Sequence, residues 1–348
     1  MTLPDVQRRG ENVINQYPRE NALWQFLSKS TCIFVIAASK LFMKCFYKVE
    51  LENFETLHKS MEEAKRTGRG FVTIMNHSSV VDDPFVWACL PLKMYANLQN
   101  IRWCLGAKNI CFSNCIYGNF FSLGQVLPTE RFGKGPFQDA IDGSIAILNS
   151  QWKRHSSWVH IFPEGYVLQL QQPYNNSMRY FRWGVSRMIL ETDRPPVVLP
   201  IFTTGFEKMF TESNDVNIFK NTWKTMGSTA KISVGQPVPD EIIVRYREQW
   251  KTLMDKHLKE GETDLNDELK YGKEATDLRS QLAAELREQV AQIREKRKDL
   301  QPEDPRFKSV DWWTKYTKTE GASDPDIKFI GVNWAVKRFQ PHVNNDDQ

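Results

Sequence analysis

The sequence predicts an α/β fold with a largely parallel sheet of about seven strands flanked by helices. Three features predict it. Seven short apolar runs bounded by turn residues recur, at 48–51, 71–75, 101–105, 125–127, 158–162, 197–202 and 231–234. Helical patterns lie between several of them, at 84–92, 138–148 and 183–192, and strands alternating with helices imply a parallel sheet. The run VVLPIF at 197–202 is continuously apolar, as parallel strands buried on both faces are. The chain has 348 residues, 41% hydrophobic and 25% charged, which is ordinary globular usage with enough length for a large core. A mean hydropathy of −0.50 excludes a polytopic membrane protein.

The first 47 residues form a separate segment. They contain no secretory apolar region, and Asp5, Glu11 and Glu20 make a poor transit peptide. Residues 23–47 have no Pro or Gly and read as a helix. Its uncharged centre, 30–39, is too short to span a bilayer, and Lys29, Lys40 and Lys44 interrupt it. At about 100° per residue these lysines fall within about 60° of one another. A narrow lysine ridge on a wide apolar helix suits a helix lying in the headgroup region or dipping into one leaflet. Residues 48–239 hold the strand–helix alternation and are read as the α/β domain. Inside it, 110–129 is uncharged, but its polar residues and two glycines argue against a span. A buried helix–loop–strand lining an apolar groove is expected there. Val216, Phe219, Trp223 and Met226 are spaced as a second short interfacial segment or a core-facing helix turn. Residues 240–348 form a charged helical extension. Ala275, Leu278, Leu282, Leu286, Val290 and Ile293 recur at three or four, so one amphipathic helix is expected within 268–300, ended by Pro302 and Pro305. The tail, with FKSVDWWTKY and FIGVNWAVKRF, is too aromatic for a free linker and is expected to pack on the body or on a partner.

The net charge of +4 is too weak to argue for nucleic acid. The six cysteines form no C-x-x-C, and Cys111 and Cys115 have no second pair or His to complete a zinc set. Six free thiols and no metal are expected.

The strongest chemical signal is Asn76–His77–Ser78–Ser79–Val80–Val81–Asp82–Asp83–Pro84. It follows the apolar run FVTIM and precedes a helical pattern. Pro84 suits the first helical position and Asp83 the N-cap. Asp82 is then free to face His77. A carboxylate on one ring nitrogen sets the tautomer, and the other nitrogen can take a proton from a hydroxyl. Phe162–Pro163–Glu164–Gly165 follows another strand, at the end where α/β sheets place ligands. Gly165 permits close backbone approach, and Glu164 can bind a hydroxyl or order the site. Arg131 closes GQVLPTER just past a strand and offers a planar fork for phosphate oxygens. His160 reads as structural. Arg179, Arg182 and Arg187 in MRYFRWGVSR read equally as lipid-phosphate contacts or helix surface.

NHSSVVD, GQVLPTER, FPEG and VVLPI, in that order, resemble the glycerolipid acyltransferase superfamily. IRWCLGAKNICF, FFSLGQVLPTERFG, WVHIFPEG, MRYFRWGVSRMILE and PIFTTGFEKM are similar to its cardiolipin-remodelling branch, and DELKYGKEA and DPRFKSVDWW to the fungal members of that branch. The resemblance covers roughly 24–334. Tyr166 departs from it, standing where animal members tend to carry a basic residue. The resemblance implies acyl transfer between phospholipids and lysophospholipids without coenzyme A, metal or any other cofactor. His77 would be the general base, Asp82 its orienting carboxylate, Arg131 a phosphate ligand, and Glu164 with Gly165 the rest of the substrate pocket. Its partners would be phospholipid and lysophospholipid substrates and a mitochondrial membrane surface, outer or inner, facing the intermembrane space and held without crossing. A homo-oligomer is compatible with this reading. A coenzyme A-dependent lysophosphatidic acid acyltransferase and a non-enzymatic membrane scaffold are the alternatives.

Overall fold

The computed structural model describes residues 2–130, 135–211, 218–317 and 327. Seven strands form one sheet: β1 (Lys48–Glu52), β2 (Phe71–Met75), β3 (Trp103–Ala107), β4 (Val126–Thr129), β5 (Trp158–Ile161), β6 (Val197–Thr204) and β7 (Thr229–Val234). Their order is β1-β7-β6-β2-β5-β3-β4. Every pairing is parallel except β6 with β7. The seven apolar runs of the sequence thus became the seven strands, because each is long enough for one strand and too short for a helix.

β2 is the middle strand, with β5 on one side and β6 on the other. All five of its residues are buried. Its side chains alternate between two cores, as a strand covered on both faces requires. Val72 and Ile74 join the core under the helices Pro4–Asn15, Asp139–Leu148, Gly184–Leu190, Asp240–His257 and Lys273–Glu295. Phe71 and Met75 join the core under the helices Ala22–Phe46, Glu55–Thr67 and Asp82–Ala88. The connection leaving β2 runs toward β3 on one side, and that leaving its neighbour β6 runs toward β7 on the other, so the crevice beyond their C-terminal ends is where an open α/β sheet takes a ligand.

The helix Ala22–Phe46 lies along this body. Ser28, Cys32, Ile36, Ser39 and Met43 form its buried stripe. The Ser28 hydroxyl donates to the Leu123 carbonyl at 2.7 Å. The opposite side leaves Leu23, Phe26, Phe34 and Leu41 each more than 60% exposed. The three lysines do not form one free ridge: Lys44 is exposed, whereas Lys40 donates to the Leu90 carbonyl at 3.1 Å.

The amphipathic helix expected within 268–300 is Lys273–Glu295, which carries all six of the apolar residues, and a separate short helix, Asp267–Tyr271, precedes it. Gly272, at ψ 148°, separates them, and a Cβ there would come within 2.4 Å of the Glu268 carbonyl oxygen. The uncharged stretch 110–129 is a helix–loop–strand, but its helix Cys115–Leu123 has no buried residue, and Ile116 is 75% exposed. Of the tail, Phe307, Trp313 and Ile327 are buried with Leu168 and Leu170; FIGVNWAVKRF lies outside the described residues.

Arg187 is a structural cation. It is 1% exposed, and its guanidinium lies 2.8 Å from Asp142 and donates from Nε to Glu191 at 2.7 Å. Arg9 reaches the other Asp142 oxygen at 2.7 Å, which ties the N-terminal helix to the same cluster. Arg187→Met should strand the buried Glu191 carboxylate, leave Asp142 with Arg9 alone, and cost about 3–5 kcal/mol, read as a loss in chemical or thermal unfolding. A loss near zero would show that these carboxylates do not depend on Arg187.

Candidate active site

The segment after β2 leaves the sheet, so its backbone N–H groups have no ladder partners and must find others. Side chains supply them. The Asn76 carboxamide bridges β6, donating to the Thr203 carbonyl at 2.9 Å and accepting from the Thr203 amide at 2.8 Å. The His77 amide donates to Glu164 Oε1 at 2.8 Å. The Ser78 and Ser79 amides donate to Asp82 Oδ2 at 2.6 and 2.8 Å.

This frame fixes the His77 ring. Its Nδ1 lies 3.0 Å from Asp82 Oδ2. Asp82 is fully buried, and its other oxygen accepts from the Ser78 hydroxyl at 3.2 Å. A carboxylate accepts only, so Nδ1 carries the proton and Nε2 keeps its lone pair. The ring also stacks on Phe162, centroids 3.9 Å apart and planes 19° apart. Nε2 therefore points in a set direction, into a cavity of about 990 Å³ that His77 lines. Its walls include Thr31, Cys32, Val35 and Ile36 of the helix Ala22–Phe46, with Phe120 and Phe121. They also include Gly165, Arg182, Ser280 and Lys308. A histidine ordered by a carboxylate, with a free nitrogen in a largely apolar cavity, can deprotonate a hydroxyl brought to it.

Glu164 is 1% exposed and does not line the cavity. Its second oxygen accepts from the Arg179 amide at 2.7 Å, so it organises two backbone segments under His77. Burial pushes its carboxyl up to about 7, against the lowering by the two amide bonds. Gly165 has φ +87°, and a Cβ there would sit 2.7 Å from the Arg182 Nε. What approaches this glycine closely is an arginine of the chain itself.

Asp83 is not a cap. It lies in the first turn of the helix Asp82–Ala88, with Val81 at the N-cap position. Its carboxylate pairs with Arg102 through two nitrogens and accepts from Trp87 Nε1 at 2.8 Å. Burial alone would raise its pKa, but the Arg102 charge and hydrogen bonds outweigh burial and hold it below the usual carboxylate value. Sequence spacing could not reveal this pair, because Arg102 comes from the segment entering β3. His160 is structural as expected. It is fully buried, and its Nδ1 lies 2.9 Å from the Thr73 hydroxyl. That hydroxyl accepts from Trp158 Nε1 at 3.0 Å, so its own proton goes to His160 Nδ1. Burial pushes the His160 pKa down to about 3, and the ring stays neutral. Arg131 lies outside the described residues. The structure thus brings His77, Asp82, Glu164 and Gly165 together.

Comparison with known proteins gives the family. A family model described as Acyltransferase matches residues 48–204, from β1 to the end of β6. The tafazzin of Saccharomyces cerevisiae is 50% identical, covering 98% of this chain and 96% of its own. A Dictyostelium discoideum protein named taffazin is 34% identical over 64% of this chain and 73% of its own. An N-acylphosphatidylethanolamine synthase of Arabidopsis thaliana is 29% identical over 62% of this chain and 72% of its own.

The two adjacent aspartates should separate in experiment. Asp82→Asn leaves the wrong tautomer free and should lower acyl transfer about 10²–10⁴-fold. Asp83→Ala should mainly cost stability. Because it strands Arg102, the loss should approach the about 3–5 kcal/mol of a broken buried pair rather than the about 1 kcal/mol of a lost cap. If Asp83→Ala is the more damaging to turnover in folded protein, the assignment fails. Glu164 has a pH signature. Its folded value of about 7 lies above its ordinary value of 4.5, so its stabilising share is complete below 4.5 and is lost as pH rises through 7. The stability of the wild type relative to Glu164→Gln should therefore fall between pH 5 and about pH 8, measured by unfolding of both proteins across that range. A constant difference would place the titration elsewhere.

Proposed function

We propose a transacylase reaction for this chain, which belongs to the tafazzin family of acyltransferases. His77 Nε2 takes the proton of a lysophospholipid hydroxyl. The oxygen attacks the ester carbonyl of a donor phospholipid and forms a tetrahedral intermediate. The donor's glycerol oxygen then leaves with the proton returned by His77. One ester is formed and one is broken, so no energy source is needed and the reaction runs both ways. Asp82 holds the tautomer and stabilises the imidazolium that forms between the two steps.

The observation that carries this reading is the position of Nε2. It faces a cavity whose wall is the inner side of a helix with an exposed apolar outer side. A donor that is itself a lipid can reach such a cavity directly from a leaflet, without coenzyme A. The membrane reading rests on the helix Ala22–Phe46, which is long and apolar enough to cross a bilayer yet stays docked along the body by its buried stripe. Lying in the interface keeps Lys29 and Lys44 near phosphates, whereas a lysine at the bilayer centre costs about 2.5–3.5 kcal/mol. Trp223 and Met226, 76% and 49% exposed, extend the apolar surface from the helix Ile218–Thr225; Val216 lies outside the described residues.

The substrates that fit are phosphatidylcholine-type donors and monolysocardiolipin-type acceptors. The setting is a mitochondrial membrane facing the intermembrane space. Arg131 remains a candidate phosphate ligand. The test is lipid mass analysis after purified protein meets labelled phosphatidylcholine and monolysocardiolipin with no coenzyme A. Labelled acyl chains should appear in cardiolipin, and His77→Ala should abolish the transfer while keeping the thermal midpoint. Transfer only from acyl-coenzyme A would favour the lysophosphatidic acid acyltransferase reading. Full activity of His77→Ala would remove this histidine from the chemistry.

A further inference from the structure

We infer that Arg182 binds the phosphodiester of a lipid substrate in the cavity that His77 lines, an inference that rests on the transacylase reading. Three arginines of one short segment have different surroundings. Arg187 is neutralised by Glu191 and Asp142. Arg179 is enclosed by aromatic rings, 4.3 Å from Tyr166, 4.7 Å from Tyr180 and 5.5 Å from Trp313. Arg182 is the one of the three that lines the cavity.

Its position is built by the Phe162–Gly165 turn. The Arg182 amide donates to the Pro163 carbonyl at 2.8 Å, and the Gly165 amide donates to the Phe162 carbonyl at 3.1 Å. Phe162 is the ring on which His77 stacks. The Arg182 guanidinium crosses the bare Cα of Gly165, where a Cβ would lie 2.7 Å from Nε and 3.4 Å from Cζ. Among the described residues no carboxylate pairs with it, and its Nε is buried without an acceptor. The carboxylate of the turn, Glu164, already accepts from two amides. Nε is sealed off, but Arg182 as a whole is only half-buried and lines the cavity, so an anion in the cavity would meet its guanidinium with no carboxylate competing for it. Phosphate suits it, because the planar fork presents parallel donors to two oxygens. Both substrates carry a phosphodiester a few bonds from the reacting glycerol oxygen. A phosphate on Arg182 would therefore hold that oxygen in the cavity that His77 faces.

Two measurements on the full chain test this. In coenzyme A-free transfer from phosphatidylcholine vesicles, Arg182→Gln and Arg182→Met should each raise KM for monolysocardiolipin about tenfold or more, the scale of a lost charged hydrogen bond, with a smaller effect on kcat. Arg182→Lys should fall between them and the wild type. If both neutral variants keep the wild-type KM while His77→Ala is inactive, the Arg182 assignment fails and the site reading stands; an active His77→Ala would defeat the site reading itself. The second measurement needs no variant. Phenylglyoxal labelling of wild-type Arg182, read by mass spectrometry, should be suppressed by dihexanoylphosphatidylcholine and not by chloride of equal ionic strength. Equal labelling with and without the phospholipid would overturn the proposal. Protection by inorganic phosphate but not by the phospholipid would also overturn it, by identifying the ligand as a free phosphate.

Discussion

The site depends on how four residues of backbone are held once they leave the central strand. Asn76 to Ser79 have no strand to pair with, and their polar groups cannot remain buried and unsatisfied. Two buried carboxylates take up the amides of His77, Ser78 and Ser79, the Asn76 carboxamide pairs with the Thr203 backbone, and these side chains tie together the ends of β2, β5 and β6. Neither carboxylate is isolated, because each accepts two backbone amides, which offsets part of its desolvation. Asp82 therefore serves the chain twice. It closes the turn into the helix Asp82–Ala88, and it sets which nitrogen of His77 is free.

The same economy governs the helix Ala22–Phe46. Its buried stripe is partly small and polar, with Ser28, Cys32 and Ser39, so it lies close against the body. Its outer side is large and apolar, with Leu23, Phe26, Phe34 and Leu41. Thr31, Cys32, Val35 and Ile36 wall the cavity. The element that fits a leaflet is thus also part of the pocket, and it could not leave the body without opening that pocket. Phe120 and Phe121 line the cavity from the helix Cys115–Leu123, whose Ile116 and Tyr117 face outward.

Much of this was legible in the residues. The strands were, because a run buried on both faces needs no partner to be recognised. His77 with Asp82 was, because their contact is local, as was the FPEG turn at a strand end. What escaped were contacts between distant segments. Asp83 looked like a cap because its real partner, Arg102, lies on the approach to another strand. Arg179, Arg182 and Arg187 looked alike because helical spacing does not reveal which of them finds Glu191, which finds aromatic rings and which finds a cavity.

The central claim is that a lipid enters from the side of the Ala22–Phe46 helix and brings its ester to His77 Nε2. The direct test is photolabelling in vesicles, with phosphatidylcholine carrying a diazirine in its acyl chain and mass spectrometry of the labelled peptides. The account predicts label on the cavity wall, at Val35, Ile36, Phe120 or Phe121, besides label on the outer face of the helix. Label confined to outward residues such as Leu23, Phe26 and Phe34, with none on the cavity wall, would contradict it.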